Sequence, residues 1–158
     1  MRFITITQYF NKLQSVLLVL LIVPLLIFTG LYFFSGEIAP DRSMEYLVII
    51  PLLVLLDWLI ASIIFNKKIK SVRNAQGLGA KLDKYFHITI VRYCFLSAAS
   101  LVMALGFYLT GSDLFIGLYV VGLLWSGFLW PSARRVCGDL KLRGDEYEMV
   151  YYKRDQFQ

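Results

Sequence analysis

The sequence predicts an all-α integral membrane protein: a four-helix antiparallel transmembrane bundle with both termini on the cytoplasmic side and a short cytosolic amphipathic C-terminal tail. Composition is the first of three observations behind this. Of 158 residues, 58 % are hydrophobic and 17 % charged, and mean hydropathy is +0.64; soluble domains are nearer ~45–50 % apolar and ~25 % charged. Second, the apolar excess lies in four long blocks. Third, the basic residues cluster on alternate connections between those blocks.

Taken in order, 1–15 carries Arg2 and Lys12 ahead of an apolar run. A secretory signal begins this way, but Val16–Phe34 is 19 uncharged residues with no small-x-small cleavage site after it, so a retained first span is expected. Pro24 near its middle removes one backbone donor and can kink it. Ser35–Glu45, with Gly36 and Pro40, is expected as a short loop. Tyr46–Phe65 is the second span, interrupted only by Asp57, and Pro51 is a second potential kink.

Asn66–Tyr85 is expected as a basic loop: Lys67, Lys68, Lys70, Arg73, Lys81 and Lys84 stand against Asp83 alone. Phe86–Thr110 is the third span, with 18 uncharged residues after Arg92. The turn Thr110-Gly111-Ser112-Asp113 sets the fourth span, Leu114–Trp130, antiparallel beside it. This places the transmembrane domain at 1–130 and the tail at 131–158. In the tail, Pro131, Arg135–Asp139–Arg143 at four-residue steps and Gly144 predict a helix over Pro131–Arg143. Asp145–Asp155 suits either a surface helix or a strand.

Orientation follows from Lys and Arg in the connections. The N-terminus has two, the second–third loop six and the tail six, whereas the first–second loop has Arg42 alone and the last turn none. The three basic segments fall on one side of four spans, which predicts both termini inside.

Two charged residues lie within the spans. Asp57 is eight residues from Phe65, about 12 Å deep, and Arg92 six residues from Phe86, about 9 Å deep from the same side. An ionised carboxylate at that depth costs at least ~2.5–3.5 kcal/mol, so Asp57 is expected protonated, paired or facing water. Three readings stay open: Arg92 snorkels to the headgroups, Asp57 and Arg92 form a structural ion pair, or Asp57 is a proton or cation site. Small residues mark packing faces: Ala99 and Gly106 at seven-residue steps from Arg92, and Gly122 with Ser126.

The six basic loop residues are candidate contacts for anionic headgroups, or for a cytosolic partner. Nucleic acid is not expected, because no binding motif accompanies the charge. Gly77-Leu78-Gly79 lacks the glycine spacing and Gly-Lys-Ser/Thr ending of a phosphate loop. One histidine, His87, and two distant cysteines, Cys94 and Cys137, offer no metal or redox set, and no cofactor is expected. Cys94 is expected in packing; Tyr85 and Trp130 are expected in an inner aromatic belt, and Tyr32, Tyr46 and Tyr108 in an outer one.

The run Gly79-Ala80-Lys81-Leu82-Asp83-Lys84-Tyr85, Val91-Arg92-Tyr93, Trp130-Pro131-Ser132 and Gly138-Asp139-Leu140-Lys141-Leu142 resembles an uncharacterised group of small four-span bacterial inner-membrane proteins. The resemblance implies a bacterial cytoplasmic membrane and supplies no activity or site residues. Other four-span families do not fit: the first span lacks the Glu of small multidrug carriers, and no CxxC is present. The expected role is a non-enzymatic accessory or interaction protein, with a homo-oligomer open. The alternative is a small oligomeric carrier or channel using Asp57.

Overall fold

A computed structural model describes residues 5–34 and 44–154. Arg2, most of the expected Ser35–Glu45 loop and 155–158 lie outside the described residues. Within them the order is α1 (Ile6–Phe34), α2 (Met44–Arg73), α3 (Leu78–Thr110), α4 (Leu114–Phe128), α5 (Ala133–Leu140) and α6 (Asp145–Tyr151). Three helices, α1 to α3, are long and apolar enough to cross a membrane. A fourth candidate span comes from α4 together with α5, which is bent from it by 75°. The chain thus has the make-up of a multi-pass membrane protein. At fifteen residues α4 is about 22 Å long, short of a hydrocarbon layer of ~30 Å.

The centre is α3, which packs against α2, α1 and α4. Its junction with α4 is as tight as the turn sequence demands. Gly111 takes φ 61° and donates its N–H to the Phe107 carbonyl at 2.8 Å, closing α3 in the left-handed conformation that glycine tolerates. Four residues further on, Phe115 is fully buried against Gly106, where an added Cβ would come within 2.6 Å of the ring. Gly106 on α3 therefore admits α4 closely. Gly122 plays the same part on α4: Trp58 of α2 and Met103 of α3 lie 3.2 and 3.3 Å from where its Cβ would be. Deeper along the pair, the Tyr93 hydroxyl donates to the Ser126 carbonyl at 2.9 Å.

Large apolar side chains are exposed on α1 from Leu18 to Phe34, on α2 from Tyr46 to Ile63 and on α4 from Leu114 to Phe128. These runs make a band roughly 25 Å tall at 1.5 Å per residue, close to hydrocarbon thickness. Tyr32, Tyr46 and Tyr108 are exposed, as an aromatic belt requires. Inside the band, Phe28, Ile50, Val54, Met103, Phe107 and Phe115 form one core.

Beyond it, at the end carrying the α2–α3 turn, lies a second core. Tyr9, Phe10 and Leu13 of α1, Phe65 and Ile69 of α2, Leu82 and Tyr85 of α3, Val136 and Leu140 of α5 and Val150 of α6 are all buried together. On α1 the buried positions Ile6, Tyr9, Phe10, Leu13 and Leu17 recur at helical spacing. Helix α1 therefore starts ten residues before the expected span and spends its first turns in this core.

Three expectations change here. The basic loop over Asn66–Tyr85 is mostly helix: α2 runs to Arg73 and α3 starts at Leu78, with Gly77 at φ 83° between them. Ile69, Val72 and Leu82, interleaved with the charges, are buried and hold those extra turns in place. The tail helix is shorter than expected. Ser132 caps it by accepting the Arg135 N–H, and Lys141 at φ 52° ends it before Arg143. Gly144 opens α6 and does not close α5, and 145–151 is helix, not strand.

Candidate functional site

The structure does not bring Asp57 and Arg92 together. Phe65 faces Tyr85 across the α2–α3 pair, and this antiparallel register sets Asp57 and Arg92 at nearly the same height. Their side chains part because Cα–Cβ bonds tilt toward each helix's own N-terminus. Arg92 leans toward the α2–α3 turn, and its guanidinium lies 4.5 Å from the centre of the Phe65 ring. Asp57 leans the opposite way. It lies on the stripe Ile50–Val54–Asp57–Ala61, and its Oδ2 is buried with no hydrogen-bond partner. Trp58, next to it, packs on both cores. The Arg92 charge is thus held against a buried ring of the second core, and not against the Asp57 carboxyl.

The six basic loop residues divide into two groups. Lys67, Lys68, Lys70 and Lys84 are exposed on the helical hairpin. Arg73 and Lys81 are partly buried and hold the tail. The Arg73 Nε donates to the Asp139 carbonyl at 2.7 Å, and the Lys81 Nζ pairs with Glu146 Oε2 at 2.6 Å. Tyr85 completes this tether, its hydroxyl donating to Asp139 Oδ2 at 2.8 Å. Tyr85 is therefore buried structure and not a belt residue, and Asp139 serves other helices instead of an Arg135–Asp139–Arg143 ladder. Sequence spacing could not reveal this, since 54 residues separate Tyr85 from Asp139.

Trp130 is half-buried, edge-on to Tyr93 at 6.4 Å between ring centres. Cys94 is exposed, contrary to the expected packing role, and Cys137 is buried under the Tyr147 carbonyl. Burial pushes the Cys137 thiol above its ordinary range. Among the described residues no group of three His, Cys, Asp or Glu side chains stands close enough to hold a metal ion.

A further cationic group gathers where α4 meets α5. Arg135, Asp139, Tyr85 and Tyr93 lie within electrostatic reach of Arg92. The Arg135 Nη1 donates to the Phe128 carbonyl at the end of α4, a favourable place for a cation. Comparison with family models, curated proteins and solved structures found no match.

Proposed function

We propose that this is a non-enzymatic accessory protein of a bacterial cytoplasmic membrane. It crosses four times with both termini inside, and its α2–α3 hairpin is a cytosolic basic platform. The observation that carries this reading is the division of labour among six neighbouring cations. Two of them, Arg73 and Lys81, tie α5 and α6 to the hairpin. Four others, Lys67, Lys68, Lys70 and Lys84, stay exposed on this pair of helices. Such a surface attracts anionic headgroups at about 1 kcal/mol per basic residue, or an acidic patch on a membrane or cytosolic protein partner. The basic connections all lying at this end support placing it inside.

Mild-detergent co-purification of wild type beside K67Q/K68Q/K70Q/K84Q tests the platform. The expected result is a stoichiometric partner or retained anionic lipid that the quadruple variant loses. Identical recovery from both proteins would sink the reading. Orientation is tested separately with Lys68→Cys and Ser112→Cys in a cysteine-free background. A membrane-impermeant maleimide applied to intact cells labels only the second if the hairpin is inside.

A second reading has one observation in its favour: the buried Asp57 Oδ2 without a partner. A carboxyl group so placed in an apolar span is costly and is the kind of group that carries protons or cations. Under this reading the protein is a small oligomeric carrier or channel, and Asp57→Asn abolishes a proton- or cation-dependent flux in proteoliposomes at normal expression. Unchanged flux removes Asp57 from any such role.

A further inference from the structure

Helix α4 stops at Phe128 and α5 starts at Ala133, turned by 75°. The elbow between them is well held. Pro131 is buried, the Trp130 N–H meets the Gly127 carbonyl at 3.1 Å, and the Ser132 N–H meets the Trp130 carbonyl at 2.9 Å. On its outer side lies an open groove of about 440 Å³, lined by Phe128, Trp130, Ser132, Arg134 and Arg135 among others.

The groove carries unneutralised positive charge. Arg134 is exposed, and neither Arg134 nor Arg135 pairs with a carboxylate among the described residues. Arg135 gives one donor to the Phe128 carbonyl, and a guanidinium has five. Arg92, outside the groove lining, stands within electrostatic reach of Arg135. One oxygen of the nearby acid, Asp139, is already taken by the Tyr85 hydroxyl. Guanidinium groups bind phosphate bidentately and hold it well in partly desolvated places.

The opposite wall is apolar and continuous with the band. Phe128 is 75 % exposed, and Leu124 and Trp125, one turn back along α4, are 62 % and 47 % exposed. A free phosphate ion would use the arginines and ignore this face. A phospholipid uses both, its phosphate at the guanidinium groups and an acyl chain along α4. We propose that the α4–α5 elbow is a binding site for an anionic phospholipid, with Arg134 and Arg135 on its phosphate and Leu124, Trp125 and Phe128 along one chain. From the preceding reading it takes only that α4 lies in a bilayer; it needs neither the lysine platform nor the orientation.

Native mass spectrometry of the full chain, released from detergent with equal amounts of phosphatidylglycerol and phosphatidylcholine, tests the site. Wild type is expected to retain phosphatidylglycerol at roughly tenfold higher occupancy. Arg134→Gln, at an exposed side chain whose loss leaves folding intact, is expected to cut that preference at least fivefold, and R134Q/R135Q to abolish it. K67Q/K68Q/K70Q/K84Q should leave this tightly held lipid in place. Equal retention of the two lipids by wild type overturns the proposal, as does a preference undiminished in R134Q. Loss in the lysine variant alone moves the lipid to the hairpin and sinks the elbow while sparing the platform. Displacement by millimolar inorganic phosphate identifies a free-anion site and also overturns the lipid assignment.

Discussion

The Arg92 guanidinium lies 4.5 Å from the centre of the Phe65 ring, one side chain stacked on the other at the edge of the apolar band. A cation over an aromatic face contributes about 0.5–1 kcal/mol at exposed sites and ~2 or more when desolvated. Asp57, close to Arg92 in height, has no part in it. In a double-mutant cycle, Asp57→Asn and Arg92→Gln should therefore add to within about 0.5 kcal/mol in detergent unfolding. Phe65→Leu and Arg92→Gln should show a coupling of about 0.5–1 kcal/mol. Rescue of either charge variant by the other would restore the ion-pair reading.

Gly106 should not tolerate a methyl group. Its missing Cβ would meet the Phe115 ring at 2.6 Å, and Phe115 is fully buried, so the ring or the α3–α4 contact must shift. Gly106→Ala is expected to destabilise the protein by about 1–3 kcal/mol, read as a lower melting temperature in detergent. Gly117→Ala, which meets nothing within 4 Å inside α4, is the control and should melt at or slightly above wild type, since Ala favours helix by about 0.5–1 kcal/mol.

The tail should come loose in steps. Lys81→Gln removes a pair whose side chains are 17 % and 34 % exposed, for a loss of about 0.2–1 kcal/mol. Adding Tyr85→Phe and Arg73→Gln leaves both Asp139 contacts unmade. The triple variant is expected to be cut within α5–α6 by trypsin well before wild type. K67Q/K68Q/K70Q, at exposed neighbours, should keep the wild-type time course in that region. Equal cutting in all three proteins would show that the apolar contacts of Val136, Leu140 and Val150 hold the tail alone.

Cys137 should be a slow thiol. Its pKa lies above the ordinary range because burial disfavours the thiolate. The folded state therefore holds the proton more tightly than the unfolded state, whose thiol titrates near ~8.5. Stability from this group is full below that pH and falls as pH rises through the folded value. In a Cys94→Ser background, maleimide labelling is expected to be slow at pH 7.5 and complete only on unfolding. Rapid labelling of the folded protein at pH 7.5 would contradict the burial.

The long helices were legible because their signal is local. Nineteen uncharged residues at Val16–Phe34 and twenty at Tyr46–Phe65 with a single charge leave few alternatives to helices of this length. The turn at Gly111 was equally plain, since only a few residue types close a helix at positive φ. The basic segment misled for a related reason. Charge density reads as a loop, yet Ile69, Val72 and Leu82 between the charges find a core supplied by α1, α5 and α6.

By itself the sequence determined that the chain is largely helical, that its apolar segments suit a membrane, and which connections carry the positive charge. These are properties of composition and spacing within tens of residues. Only the tertiary structure decided that Arg92 turns to Phe65 and away from Asp57, and that Arg73, Lys81 and Tyr85 clamp the tail while four lysines stay outside. Both depend on where side chains point once antiparallel helices are in register. A guanidinium leaning one way and a carboxylate leaning the other are separated by the tilt of Cα–Cβ bonds, which matching depths along two helices does not encode.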